Sequence, residues 1–319
     1  MKFIELINVE NSPLALDGWL SWNREVWGLQ PQRVAYSPKG KDIPRLEGVI
    51  YLNRKGQVQM PPRNPYLPFR LITTNTKRTE RLYRQWSQVS GLFAEELVSR
   101  GIRGTISLPP GFIDGRQFQW RGLQVGIRYT FVGRLPVNED NITKSIRKEI
   151  VKARTSGYRV SLSHDWEAIS SCLQETGEAK SFSHHTGIVE LQLLKELLGD
   201  EHFLVYAGHS PGGELVCTHL RLHAPTCITL AWSQGTRRSE LPSGINRLTY
   251  IEVFKDLYTR GAVGVDLAGA NIQQVADAKS VWGFPLVPYL TIGAPSWRRL
   301  ASSAIQVSKW YLQRFGKKE

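Results

Sequence analysis

Apolar positions repeat along this chain with two periods, and the switches between them mark out its elements. Near the start, Met1 to Ile7 reads as a strand and Leu14 to Trp27 as a short helix. Leu46 to Asn53 reads as a strand, with Gly56 to Met60 as its partner. The stretch PPRNPYLPF, from Pro61 to Phe69, is an ordered loop or edge, because its prolines lack donors and fix φ. Helical spacing follows from Thr76 to Arg100, where Leu82, Trp86, Val89, Leu92, Phe93 and Leu97 share one stripe and Gly101 stops the run. Gly104 to Leu108 and Gly126 to Leu135 are strands, the second rich in β-branched and aromatic residues.

The pattern resets between Pro136 and Asn141. Asp140 or Asn141 is placed to cap a helix running to about Ser156, with Ile146, Ile150 and Ala153 on its buried face and Gly157 at its end. Tyr158 to Leu162 alternates like a strand, and helices cover Trp166 to Thr176 and Gly187 to Leu198. From His202 to Ser233, runs of β-formers broken at Pro211-Gly212-Gly213 and Ala224-Pro225 predict a meander. A helix from Ile245 to Arg260, a strand from Ala262 to Leu267 and a helix around Ile272 to Trp282 complete the alternation. The last segment, Trp297 to Phe315, is amphipathic: Trp297, Leu300, Ala304, Val307, Tyr311 and Phe315 line one side, with Arg298, Arg299, Lys309 and Arg314 opposite. The expected organisation is two similar α/β (α+β) domains, 1–138 and 139–295, and a basic helix, 296–319, that packs back on the first domain or docks on anionic lipid.

Composition agrees with two folded domains. The chain has 319 residues, 41% hydrophobic and 22% charged, which supports a substantial core and excludes wholesale disorder. Its formal net charge of +13 draws anions: nucleic-acid phosphate, a nucleotide pyrophosphate or an acidic membrane surface. The three cysteines, Cys172, Cys217 and Cys227, have no CxxC spacing, so no structural zinc site is expected. Their odd number and the lack of a secretory leader predict reduced thiols in the cytoplasm. No run reaches the roughly 18–20 apolar residues that a membrane span needs.

The candidate chemistry sits mainly in the second half. Gly208-His209-Ser210-Pro211-Gly212 lacks the strand-to-helix elbow of a serine hydrolase, and no phosphate-binding glycine run is present. His184 and His185, preceded by Ser181 and Ser183, suit either general-base work or a helix cap. His219 and His223 share a strand parity, but no carboxylate at ligand spacing accompanies them, so no metal is expected. Lys144, Lys148 and Lys152, with Arg147 beside them, form a basic helical stripe that steers phosphate or is simply a solvated face.

Three blocks resemble the FemAB-like branch of the GNAT acyltransferase superfamily, the peptidoglycan-bridge aminoacyltransferase relatives. SIRKEIVKARTSGYRV, Ser145 to Val160, matches a helix of the form R-x-x-I-x-K-A-x-x-x-G at Arg147, Ile150, Lys152, Ala153 and Gly157. GAVGVDLAGAN, Gly261 to Asn271, resembles the family's glycine–aspartate–glycine strand end at Gly261, Asp266 and Gly269. AKSVWGFPLVPYLTI, Ala278 to Ile292, resembles its F-K-x-x-x-G block, with Lys279 and Gly283 in place and Ala278 for the usual Phe. Ser107 to Leu135 follows the end of the family's first domain more loosely, and the likeness covers Pro61 to Tyr289. The chain departs from the peptidoglycan-bridge members at Arg63-Asn64-Pro65, where they carry Arg-Gly-Pro, and at His184-His185, where they often carry Arg.

The resemblance implies two tandem GNAT-like domains, each a mixed, mostly antiparallel sheet flanked by helices. It implies transfer of an acyl or aminoacyl group to an amine, with acyl-CoA or aminoacyl-tRNA as co-substrate and no permanent cofactor. Such transfer needs a held donor, a base and positive charge for donor phosphates and the developing oxyanion. Asp266 and His185 are the catalytic candidates, although Asp266 is equally suited to bracing the turn at Gly269. Lys279, Arg237, Arg147 and Tyr66 are the substrate-binding candidates, Lys279 for phosphate by resemblance. Two other readings compete: a non-catalytic GNAT-like module that binds RNA or another anionic partner, and a peripheral membrane transferase acting on a lipid-linked saccharide.

Overall fold

In the computed structural model, residues 12–138, 142–179 and 186–294 are described. The expected strand at Met1 to Ile7, the caps Asp140 and Asn141, both adjacent histidines and the basic terminal helix lie outside them. The first half opens with helix α1 (Asp17–Trp27) and builds a small sheet from β1 (Gln30–Tyr36), β2 (Arg45–Leu52), β3 (Val58–Gln59), β4 (Phe69–Ile72) and β5 (Ile102–Arg103). β2 pairs antiparallel with β1, β3 and β4, and β3 pairs parallel with β5. Strand β1, QPQRVAY, was not legible, because most of its residues face solvent and their polarity masks the period. Helix α2 (Thr79–Arg100) follows its expected stripe, with Trp86, Val89, Phe93 and Leu97 buried and Gly101 capping it.

The second sheet has eight strands. Its members are β6 (Thr105–Ser107), β7 (Gln124–Arg134), β8 (Arg159–Leu162), β9 (Phe203–His209), β10 (Leu215–Leu222), β11 (Ile228–Thr236), β12 (Gly264–Asp266) and β13 (Leu286–Gly293), in the order β6-β13-β7-β12-β11-β10-β9-β8. Every pairing is antiparallel except β11 with β12. The meander β9–β11 is where the turn residues placed it. β13, whose sequence carries Pro288, inserts between β6 and β7, so a late strand sits between two strands that precede residue 138.

Helices cover both faces. α3 (Arg116–Trp120) packs near α2, and α5 (Trp166–Ala179) and α6 (Ile188–His202) lie on one face of the large sheet. α4 (Lys144–Thr155) and α7 (Ile245–Thr259) lie on the other, with α8 (Gln273–Ser280) close by. α4 buries Ile146, Ile150 and Ala153, the three residues its period selected, but starts at Lys144 behind Thr143. Two cores result. One runs from Trp19, Trp22 and Phe93 through Phe203 to Leu230 and Trp232, and joins the small sheet to one face of the large one. The other packs Ile146, Leu248, Phe254 and Trp282 against the opposite face. Among the described residues no helix is long and apolar enough to cross a membrane.

Candidate functional site

The large sheet forks between its two parallel strands. β12 pairs with β11 only over Ile228–Leu230 against Gly264–Asp266; beyond Asp266 the chain stays on β7, where Leu267 and Ala270 donate to the Phe131 and Tyr129 carbonyls, while β11 runs on to Thr236 without it. An irregularity lies on the other edge of β11 at the same level. Leu220 of β10 faces Ser233 and Arg221 faces Ala231, so Trp232 is an extra residue, a β-bulge. A bulge bends its strand and increases the local twist, and this one falls where β11 leaves β12.

The Pro-rich loop crosses this fork. Trp232 Nε1 donates to the Arg63 carbonyl at 3.1 Å, and three residues later the Tyr66 hydroxyl donates to Asp266 Oδ2 at 3.1 Å. Trp232 stacks edge-on against Trp19 and Trp22, which are fully buried, so the loop is tied to a rigid aromatic wall.

Asp266 stands at the apex, at the end of β12, only 1% exposed. Its Oδ1 accepts from the Thr130 hydroxyl on β7 and from the Ala268 amide at 2.8 Å, and Tyr66 supplies a third donor. Burial raises the carboxyl above its ordinary value, opposed by Thr130, the Ala268 amide, Tyr66 and the nearby charge of Lys279. The Tyr66 phenol is pushed well up, by burial first and then by the charge of Asp266. The pair is therefore a carboxylate of enhanced basicity joined to a hydroxyl that keeps its proton.

Lys279 is brought to the same place, but faces backbone. Its ammonium donates to the carbonyls of Leu267 at 2.6 Å, Gly269 at 3.1 Å and Ala268. Ala268 and Gly269 both have positive φ, +50° and +65°, so consecutive carbonyls converge on one point and a cation settles there.

Arg237 and Arg147 lie elsewhere. Arg237 follows β11 directly, on the order of 20 Å along the strand from Leu230. Its Nε donates to the Leu215 carbonyl at 3.1 Å, and its Nη1 lies 4.0 Å from Glu175. Arg147 is exposed on α4, the helix whose Glu149 meets Arg247 of α7 at 3.7 Å. A Cβ on Gly244, at the start of α7, would lie 2.6 Å from the Glu149 carbonyl oxygen, so α4 and the entry to α7 touch. His185 lies outside the described residues. His219 and His223 are taken up by neighbours: His219 by Asn246 and Arg221, His223 by Thr229, each at 2.8 Å.

Sequence reasoning did not single out Thr130 or Trp232, and it met Arg63 only as part of Arg63-Asn64-Pro65, with no role assigned. A threonine or tryptophan in a strand is ordinary, and only the bulge and the long-range contacts distinguish these.

No protein-family model and no curated protein matches this sequence. Solved structures do match in fold. FemX superposes with a TM-score of 0.62 at 12% identity, over 91% of this chain and 94% of FemX. The C-terminal DUF2156 domain of an Agrobacterium fabrum protein assigned as a lysylphosphatidylglycerol synthetase gives 0.57 at 9% identity, over 97% and 94%. L-PGS from Bacillus licheniformis gives 0.55 at 13% identity, over 96% and 95%. The chain thus shares the fold of these structures, mixed and mostly antiparallel sheets flanked by helices.

Proposed function

We propose that this protein transfers an acyl or aminoacyl group to an amine, forming an amide, with acyl-CoA or aminoacyl-tRNA as a passing co-substrate. The observation that carries this reading is the fork between β11 and β12 with Asp266 and Tyr66 at its apex. A fork between parallel strands exposes strand edge on which a long thin donor can lie extended, its reactive end at the apex. The amine attacks the donor carbonyl. As the bond forms, nitrogen passes a proton to the Tyr66 oxygen while Tyr66 passes its own to Asp266, and the leaving sulfur or oxygen takes the proton back. Lys279 braces the 267–269 carbonyls and places a positive charge behind the carboxylate.

Arg237, Arg147 and the cationic entry to α7 are suited to donor phosphates, at the far end of β11. The name of one structural relative refers to lysylphosphatidylglycerol, an aminoacylated membrane lipid. We extend that setting, cell-envelope biosynthesis from the cytoplasmic side, to this chain.

Calorimetry with acetyl-CoA and with charged tRNA, followed by addition of an amine and mass analysis of the product, tests the reading. At least one donor is expected to bind and to acylate the amine. Folded protein that binds neither removes the proposal and leaves the non-catalytic alternative.

A further inference from the structure

The fork holds a cation that the transfer chemistry above does not use. Arg63 lies in the crossing loop with its guanidinium 5.1 Å from the centre of the Trp232 ring. Its Nε is buried and makes no hydrogen bond. Burial alone draws the group down, to about 10, with no neighbouring carboxylate pulling it back. Arginines on the strands of the small sheet differ: Arg33 meets Asp17, and Arg45 and Arg70 meet Glu47. Beside Arg63, Asn64 is 4% exposed, and its amide faces the Tyr51 hydroxyl without completing a well-formed hydrogen bond at either Oδ1 or Nδ2. Of the nine such orphaned atoms among the described residues, six belong to Arg63, Asn64, Trp19, Asn23 and Trp27. Folded proteins pair nearly all buried polar groups, so this concentration marks a place built to receive a polar ligand.

We propose that Arg63 and Asn64 form a carboxylate subsite that holds the amine substrate by a carboxylate group, so that its amine reaches Tyr66 and Asp266. This rests on the fork being an amine-acylating site. Three features select a carboxylate. A guanidinium presents parallel N–H groups in pairs, its two Nη atoms among them, at the spacing of a carboxylate's oxygens. One positive charge balances a monoanion, whereas a phosphate carrying nearly two charges would keep an excess in a poorly solvated place. The Trp232 face shields the pair from water and adds a cation–π contact. Register places the subsite close to the apex: Leu230 is the partner of Asp266, and Trp232 is two residues further on, on the order of 8 Å away. That gap suits an amino acid or the end of a short peptide. An amine lacking the carboxylate would leave the guanidinium unpaired, and is disfavoured for that reason.

Titration without any acyl donor tests this. Wild-type protein, Arg63→Gln and Arg63→Lys are titrated with glycylglycine, N-acetylglycine, glycinamide and inorganic phosphate, read by tryptophan fluorescence and by the melting temperature. Glycylglycine and N-acetylglycine should saturate, with glycinamide weaker by roughly tenfold or more. Arg63→Gln should weaken N-acetylglycine by a similar factor, and Arg63→Lys by less. Equal binding of glycinamide and glycylglycine, tighter binding of phosphate than of carboxylates, or no effect of either substitution would overturn the subsite. If Arg63→Gln fails to fold, the Arg63→Lys comparison and the wild-type ligand order decide. Carboxylate binding with no transfer to any amine would sink the transferase reading and leave the subsite. Transfer to amines with no preference for a carboxylate would do the reverse.

Discussion

The Tyr66 hydroxyl donates to the Asp266 carboxylate at 3.1 Å across a sequence separation of 200 residues. One residue comes from the Pro-rich loop of the first half, the other from the end of β12 in the second. The contact closes the apex of the fork, and it links the two ionisable groups on which proton movement would depend.

Tyr66→Phe removes one of three donors to Asp266. The carboxyl should rise further, because Tyr66 lowers it in the wild type. Transfer is expected to fall by roughly 10- to 100-fold, with the acid limb of the pH–rate profile displaced upward. Stability should change by about 1 kcal/mol. An unchanged rate and an unchanged acid limb would take Tyr66 out of the proton path.

Asp266→Asn separates burial from charge. Asp266 has a folded value raised above its unfolded one, so its contribution to stability is present at low pH and is lost as pH rises through the folded value. The asparagine variant should therefore gain on the wild type as pH climbs above the ordinary carboxylate range. Melting temperatures of both proteins from about pH 4 to about pH 8 measure the difference. A variant melting temperature that stays level with, or falls relative to, the wild type as pH rises contradicts a raised carboxyl.

Lys279→Met leaves the carbonyls of Leu267, Ala268 and Gly269 without their shared donor. A loss of about 2–3 kcal/mol is expected in chemical denaturation. Donor affinity should stay within roughly twofold, since the ammonium faces backbone. A tenfold loss of donor affinity at near wild-type stability would instead make Lys279 a phosphate ligand.

Gly235→Ala tests how closely α5 seats on β11. A Cβ at this position would lie 2.7 Å from the Cys172 carbonyl oxygen and 3.0 Å from Thr176 Oγ1. Helix and strand must part to admit it, at a cost of about 1–3 kcal/mol. A lower denaturation midpoint with an unchanged slope is the expected reading.

Much of the architecture was written in local pattern. The stripe of α2, the buried triad of α4, and the glycine- and proline-punctuated meander β9–β11 all follow from side-chain period and turn chemistry, which act over a few residues. Asp266 and Lys279 stood out because they fall in blocks that resemble the FemAB-like family. By itself, then, the chain determined its class of fold, the order of its main elements and the positions of Asp266 and Lys279.

Tertiary structure decided what those residues face. Lys279 points at three carbonyls because two consecutive left-handed residues turn them toward it, and local periodicity carries no signal for that. At the fork one extra residue, Trp232, disturbs the pairing of β11 with β10, and only the paired strands reveal it. Tyr66 and Arg63 reach the fork only through a loop from the other half, and β13 finds its place only by inserting between β6 and β7. Such contacts are set by packing between distant segments, and that packing is physically absent from any short window of sequence.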